Sequence, residues 1–141
     1  MPKTSIWVLV LAVGIAIGAL GSQVLSAPQQ EFTRNVLLKT VATGAQTSDG
    51  APLDIYVIDE TLIPGGQIPR HYHPGNQTFV VTQGTGVFQE DGKPSVELKP
   101  GTVVHMDPKK VHSARNTGTV PIKFMDFGLF EAGQPPSIPV K

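Results

Sequence analysis

The 141-residue sequence contains no cysteine. That excludes disulfides, thiolate zinc sites, iron–sulfur clusters, a cysteine nucleophile and a lipid-modified cysteine anchor. Net charge is also missing, because 11 Lys and Arg balance 11 Asp and Glu. No basic block accumulates, which argues against phosphate neutralisation and hence against nucleic acid as a partner. From Phe32 onward no stretch repeats apolar residues at i, i+3, i+4 and i+7, so amphipathic helices are not expected. Pro64-Gly65-Gly66 is followed by no lysine–serine pair and reads as a turn, not a phosphate loop. No Ser-His-Asp arrangement is supported by spacing.

Turn-formers are plentiful. Fifteen glycines and 13 prolines interrupt the chain every few residues, and the pieces between them are short and rich in β-branched and aromatic residues. They predict strands at Val36–Thr43, Leu53–Ile63, Gln67–Tyr72, Thr78–Gln83, Gly86–Glu90, Val96–Leu98, Thr102–Met106, His112–Asn116 and Ile122–Phe130. Many short strands in regular succession suggest a sandwich or barrel. Gln29–Thr43 lacks breakers, so its length leaves a helix open there.

The amino terminus is different in kind. Lys3 precedes Ile6 to Gly21, a run without one polar side chain. This is the pattern of a secretory signal or an uncleaved signal anchor. As a helix the run spans about 24 Å, short of the ~30 Å hydrocarbon core, and extension to Leu25 closes the gap. Both readings place the remainder outside the cytoplasm, in a periplasm-like compartment, with contact to the membrane only if the segment is retained. The expected organisation is a signal or anchor over 1–27, a linker over 28–35, a β domain over 36–132, and an extended surface tail over 133–141 carrying Pro135, Pro136 and Pro139.

All four histidines lie between positions 71 and 112. His71 and His73 leave one face of a predicted strand, Gln77 shares their parity across the Pro74-Gly75 turn, and His112 opens a later strand. Three imidazoles and an amide oxygen can therefore converge inside a barrel. Imidazole nitrogens bind Fe, Mn, Co, Ni, Cu or Zn, although two histidines on one strand are often merely exposed. His105 reads as a structural histidine, and Lys109 with Lys110 as a solvated turn. Phe79, Val80, Val81, Phe124, Phe127 and Phe130 are core candidates.

The series Gly65-x5-His71-x-His73-x3-Gln77-x6-Gly84 resembles the first motif of the cupin superfamily, G-x5-H-x-H-x3-E-x6-G. Gly101 to Asn116 resembles the second, G-x5-P-x-G-x2-H-x3-N. Its closing His112-x3-Asn116 is intact, whereas Asp107 stands where the proline is expected and Lys109 replaces the glycine. The resemblance covers about Val36 to Phe130. It implies an all-β, jelly-roll β-barrel behind the N-terminal hydrophobic helix, with one divalent transition metal inside it and, as in many members, a homodimer. It makes His71, His73 and His112 metal ligands, puts Gln77 at the carboxylate ligand's position, and leaves Asn116 outside the ligand set. Glutamine departs from the pattern. A carboxylate at ~2 Å contributes at most about 8 kcal/mol of Coulomb attraction at a dielectric near 20, so an amide implies weaker affinity and an ion left without a protein anion. Three functions follow from the resemblance: a small exported or anchored cupin that binds metal and recognises a small ligand; a metal-dependent dioxygenase acting on a small, partly anionic organic substrate; and a metal-free structural cupin. No general base emerges from the residues.

Overall fold

The computed structural model describes residues 31–140, and the hydrophobic helix expected over 1–27 lies outside the described residues. Within them the chain forms ten strands and no helix: β1 Phe32–Gln46, β2 Pro52–Leu62, β3 Gln67–Tyr72, β4 Asn76–Gln83, β5 Gly86–Glu90, β6 Val96–Leu98, β7 Val103–Met106, β8 His112–Asn116, β9 Ile122–Glu131 and β10 Ile138–Pro139. Two five-stranded sheets result, ordered β1-β2-β9-β4-β7 and β10-β3-β8-β5-β6, with antiparallel pairing throughout.

Period-2 alternation explains the layering. On β2 the buried set is Asp54, Tyr56, Ile58, Glu60 and Leu62; on β9 it is Ile122, Phe124, Asp126, Gly128 and Phe130. Leu62, Phe79, Val81, Phe88, Leu98, Ile122 and Phe124 pack into one core cluster. The histidines His71, His73 and His112, with Gln77, Glu60 and Asp126, bring polar groups to the inner side as well.

Two expectations need correction. Where a helix was left open over Gln29–Thr43, the described residues from Phe32 onward form strand β1, whose backbone pairs with β2 from Phe32↔Leu62. That pairing also carries the sheet back into the expected linker. The tail is extended and partly paired, with Ile138 and Pro139 opposite Tyr72 and His71 of β3. Phe127, expected in the core, is half exposed on the outer face of its sheet.

Candidate metal centre

Pro69 sets the local geometry. It has no N–H to give the β3–β8 ladder, and the register shifts between Ile68 and His71. A regular strand would put residues three apart on opposite faces, yet Ile68 and His71 are both buried, so the irregularity turns His71 inward. His71 then lies directly opposite His112. His73 follows two residues on, and Gly75 lets the chain turn into β4 at close quarters. A Cβ on Gly75 would sit 2.2 Å from the Leu129 carbonyl oxygen.

The three rings meet, with centroids 4.4–4.9 Å apart. One nitrogen from each lies within 4.8 Å of the others, and the cluster can hold a metal ion. The tautomers follow from the backbone. Nδ1 of His71 donates to the Pro69 carbonyl (2.8 Å), Nδ1 of His73 to Pro136 (2.7 Å), and Nδ1 of His112 to Lys110 (2.9 Å). A carbonyl only accepts, so each Nδ1 carries the proton and each Nε2 keeps a bare lone pair. Nε2 of His73 and Nε2 of His112 are 3.1 Å apart. With no proton between them this is a contact of lone pairs that a cation relieves. Two ligands at about 2.1 Å from an ion lie roughly 3.0–3.4 Å apart in octahedral or tetrahedral geometry. Burial, the main cause, lowers the pKa of His71 to about 4 and of His73 to about 3, and lowers that of His112 as well. All three are neutral near pH 7, the form that binds metal.

Gln77 on β4 lines the same cavity and is 3 % exposed. Its Nε2 donates to Asp126 Oδ1 at 2.7 Å, while its Oε1 is buried without a partner among the described residues. An orphaned amide oxygen beside three bare imidazole nitrogens fits a divalent transition ion. The cavity is partly open to solvent and is walled by Phe79, Phe88 and Phe124.

Two lining residues escaped the sequence reading. Glu60 and Asp126 are 5 % and 2 % exposed. Burial, followed by the neighbouring carboxyl of Glu60, pushes Asp126 well above the usual carboxylate range. Burial also raises Glu60, against the pull of the Arg34 guanidinium that binds it. The available signal was parity, since each is a carboxylate on its strand's apolar side. Asp126 stands one hydrogen bond behind Gln77, but burial favours its protonated form, so it adds no fixed anion beside the three imidazoles.

The other singled-out residues sort plainly. Asn116 ties the barrel, its Nδ2 donating to the Leu62 and Val120 carbonyls at 2.9 Å each. His105 is exposed on the outer face, with Nδ1 2.9 Å from Thr78 Oγ1. Lys109 and Lys110 are exposed, but the Lys109 N–H donates to the His73 carbonyl at 2.8 Å. Lys109 has φ 64°, the left-handed conformation that glycine adopts freely at this motif position. Lys109→Gly is therefore expected to stabilise the domain by about 1 kcal/mol, a rise of a few degrees in Tm by calorimetry. An unchanged or lower Tm would mean that the lysine carries no strain.

Comparison with known proteins agrees with this geometry. Over 52 residues the chain is 40 % identical to the (R)-mandelonitrile lyase of Granulicella tundricola, a match spanning 37 % of this chain and 40 % of that relative's length. The DMSP lyase DddQ of Ruegeria pomeroyi superposes with a TM-score of 0.63 at 19 % identity, covering 85 % of this chain and 57 % of that one. A Klebsiella pneumoniae protein with a double-stranded β-helix domain superposes with a TM-score of 0.61 at 24 % identity, covering 82 % and 90 %. The two superpositions speak to fold alone. Residues 58–128, from the middle of β2 to β9, match the cupin domain family, and this chain belongs to it.

Proposed function

We propose that this cupin holds one divalent transition metal through His71, His73, Gln77 and His112, and cleaves a small molecule by a lyase-type reaction in which a proton moves as a bond breaks. One observation carries the reading. Three imidazole lone pairs and the unpartnered Gln77 Oε1 share a cavity with two buried carboxyls. When bound, the ion supplies Lewis acidity for negative charge developing on oxygen or nitrogen. The chain's own residues supply the rest. Asp126 and Glu60 are groups that can take a proton from a hydroxyl and return it to a leaving group, and the aromatic walls keep water away. Fission of an α-hydroxynitrile needs both transfers: the hydroxyl loses its proton as the carbon–carbon bond breaks, and cyanide leaves as the acid. The lyase in the name of the Granulicella relative supports this class. The dioxygenase reading uses the same donors but gives the buried acid pair no proton to move, and plain ligand recognition calls for no proton transfer either. Export rests on Lys3 and the apolar run from Ile6 to Gly21, which support an extracytoplasmic location by cleaved signal or retained anchor.

The full-length chain is expected to carry close to one equivalent of transition metal by elemental analysis, and His73→Ala to lose most of it. Because burial lowers the pKa of His71 to about 4 and of His73 to about 3, and lowers that of His112 as well, metal loading should change little from pH 7 to pH 5. Hydrogen cyanide release from mandelonitrile, absent from the His73→Ala protein, tests the reaction. A metal-free protein, or metal content indifferent to position 73, overturns the reading.

A further inference from the structure

The cavity has two chemically different poles. One is the imidazole cluster; the other is the carboxyl pair of Glu60 on β2 and Asp126 on β9. These strands are neighbours, with Ile58 opposite Asp126 and Glu60 opposite Phe124, so the two carboxyl residues lie diagonally across one inner face. Half of their hydrogen-bonding capacity is committed. Arg34 holds Glu60 Oε1 from the β1 side, and Gln77 Nε2 holds Asp126 Oδ1. Asp126 Oδ2 has no partner among the described residues although it is buried. A buried carboxyl oxygen without a partner, on a residue that lines a cavity, is a place for a ligand's polar group. The phenyl rings of Phe79, Phe88 and Phe124 on the same walls suit an apolar body.

We propose that Glu60 and Asp126 form a ligand subsite that receives a hydrogen-bond-donating head group, a hydroxyl or an ammonium, on a small aryl or alkyl molecule, and that turns carboxylates away. This names a substrate class for the same cavity and rests on reading that cavity as the substrate site. It differs from the partly anionic substrate of the dioxygenase reading. A ligand hydroxyl or ammonium finds acceptor oxygens at this pole, whereas a ligand carboxylate meets carboxyl oxygens in a dry site.

Benzyl alcohol, benzylamine and benzoate share one ring and differ in the head group. Titrated into the full-length, metal-stripped chain by calorimetry, benzyl alcohol and benzylamine are expected to bind at least about tenfold more tightly than benzoate. Glu60→Gln should narrow the gap between benzylamine and benzoate by about tenfold without changing metal content. The wild-type series tests the subsite even where that variant fails to fold. Benzoate binding as tightly as benzylamine, or no saturable binding by any of the three, overturns the proposal. Head-group selectivity in a protein that binds no metal supports the subsite and removes only the metal reading. One equivalent of metal beside a preference for benzoate removes only the subsite.

Discussion

Gln77→Glu is expected to tighten metal binding by about 10- to 100-fold and, in the same protein stripped of metal, to lower stability by about 2–4 kcal/mol. The two effects have separate origins. A carboxylate at position 77 gives the ion an anionic ligand, and the Coulomb ceiling at ~2 Å is about 8 kcal/mol at a dielectric near 20. The full amount is not available, because the new carboxylate must itself be desolvated beside the buried Asp126 carboxyl. Glutamate also removes the Nε2 donor that Asp126 Oδ1 now receives at 2.7 Å, and it sets a second carboxyl against the first in a site where both residues are nearly fully buried. Such pairs share one proton instead of both ionising. The metal-loaded variant must therefore hold Asp126 neutral or surrender part of the gain. Competition titration with a coloured chelator reads the first effect, and thermal unfolding with and without chelator reads the second. An unchanged metal dissociation constant would exclude position 77 from the ligand set. An unchanged melting temperature without metal would mean that the Gln77–Asp126 bond contributes nothing.

That pairing bears on how far the sequence can be read. Strand positions were legible where turn residues bracket them: Gln67–Tyr72, Gly86–Glu90, Val96–Leu98 and His112–Asn116 coincide with β3, β5, β6 and β8 to the residue. The convergence of His71, His73 and His112 was legible as well, because a period of two and a recurring motif spacing are local properties. What was not legible depends on which strands become neighbours. Asp126 sits 49 positions from Gln77, and only the adjacency of β4 and β9 brings them together. Glu60 could have been flagged by parity, as an acid among Tyr56, Ile58 and Leu62, but nothing local connects it to Arg34, 26 positions earlier. The tail is the third case. Prolines at 135, 136 and 139 suggest an extended segment, and it is extended. Its pairing with β3 depends on an edge that exists only once the second sheet has formed.

The tail leads to the other large effect. Ending the chain after Gly133 is expected to weaken metal binding by about 10- to 100-fold at pH 7 while leaving a β-rich circular dichroism spectrum. The deleted strap does four things at once. Its Pro136 carbonyl accepts the His73 Nδ1 proton at 2.7 Å, Ser137 Oγ accepts from Arg34, Gln134 accepts from the Tyr56 hydroxyl at 3.3 Å, and the Val140 N–H reaches the Arg70 carbonyl at 3.1 Å. The first contact fixes the tautomer and aim of a metal-binding ring, and Ile138 and Pro139 pair with Tyr72 and His71 just before it. Without them His73 is wetter and freer to rotate. Burial is what holds its pKa near 3, so exposure returns it toward the ordinary histidine value of about 6.5. The sign follows directly. In the intact protein, protons compete with metal for this nitrogen only when the pH falls toward 3; in the shortened chain the competition begins below about 6.5. Metal affinity of the variant should accordingly fall further between pH 7 and pH 5, an interval over which the intact chain stays flat. Ser137→Ala, which removes only the Arg34 contact, should leave both affinity and pH profile close to those of the parent. A truncated chain that binds metal as tightly as the whole one, with the same flat profile, would show that the strap covers the centre without positioning it.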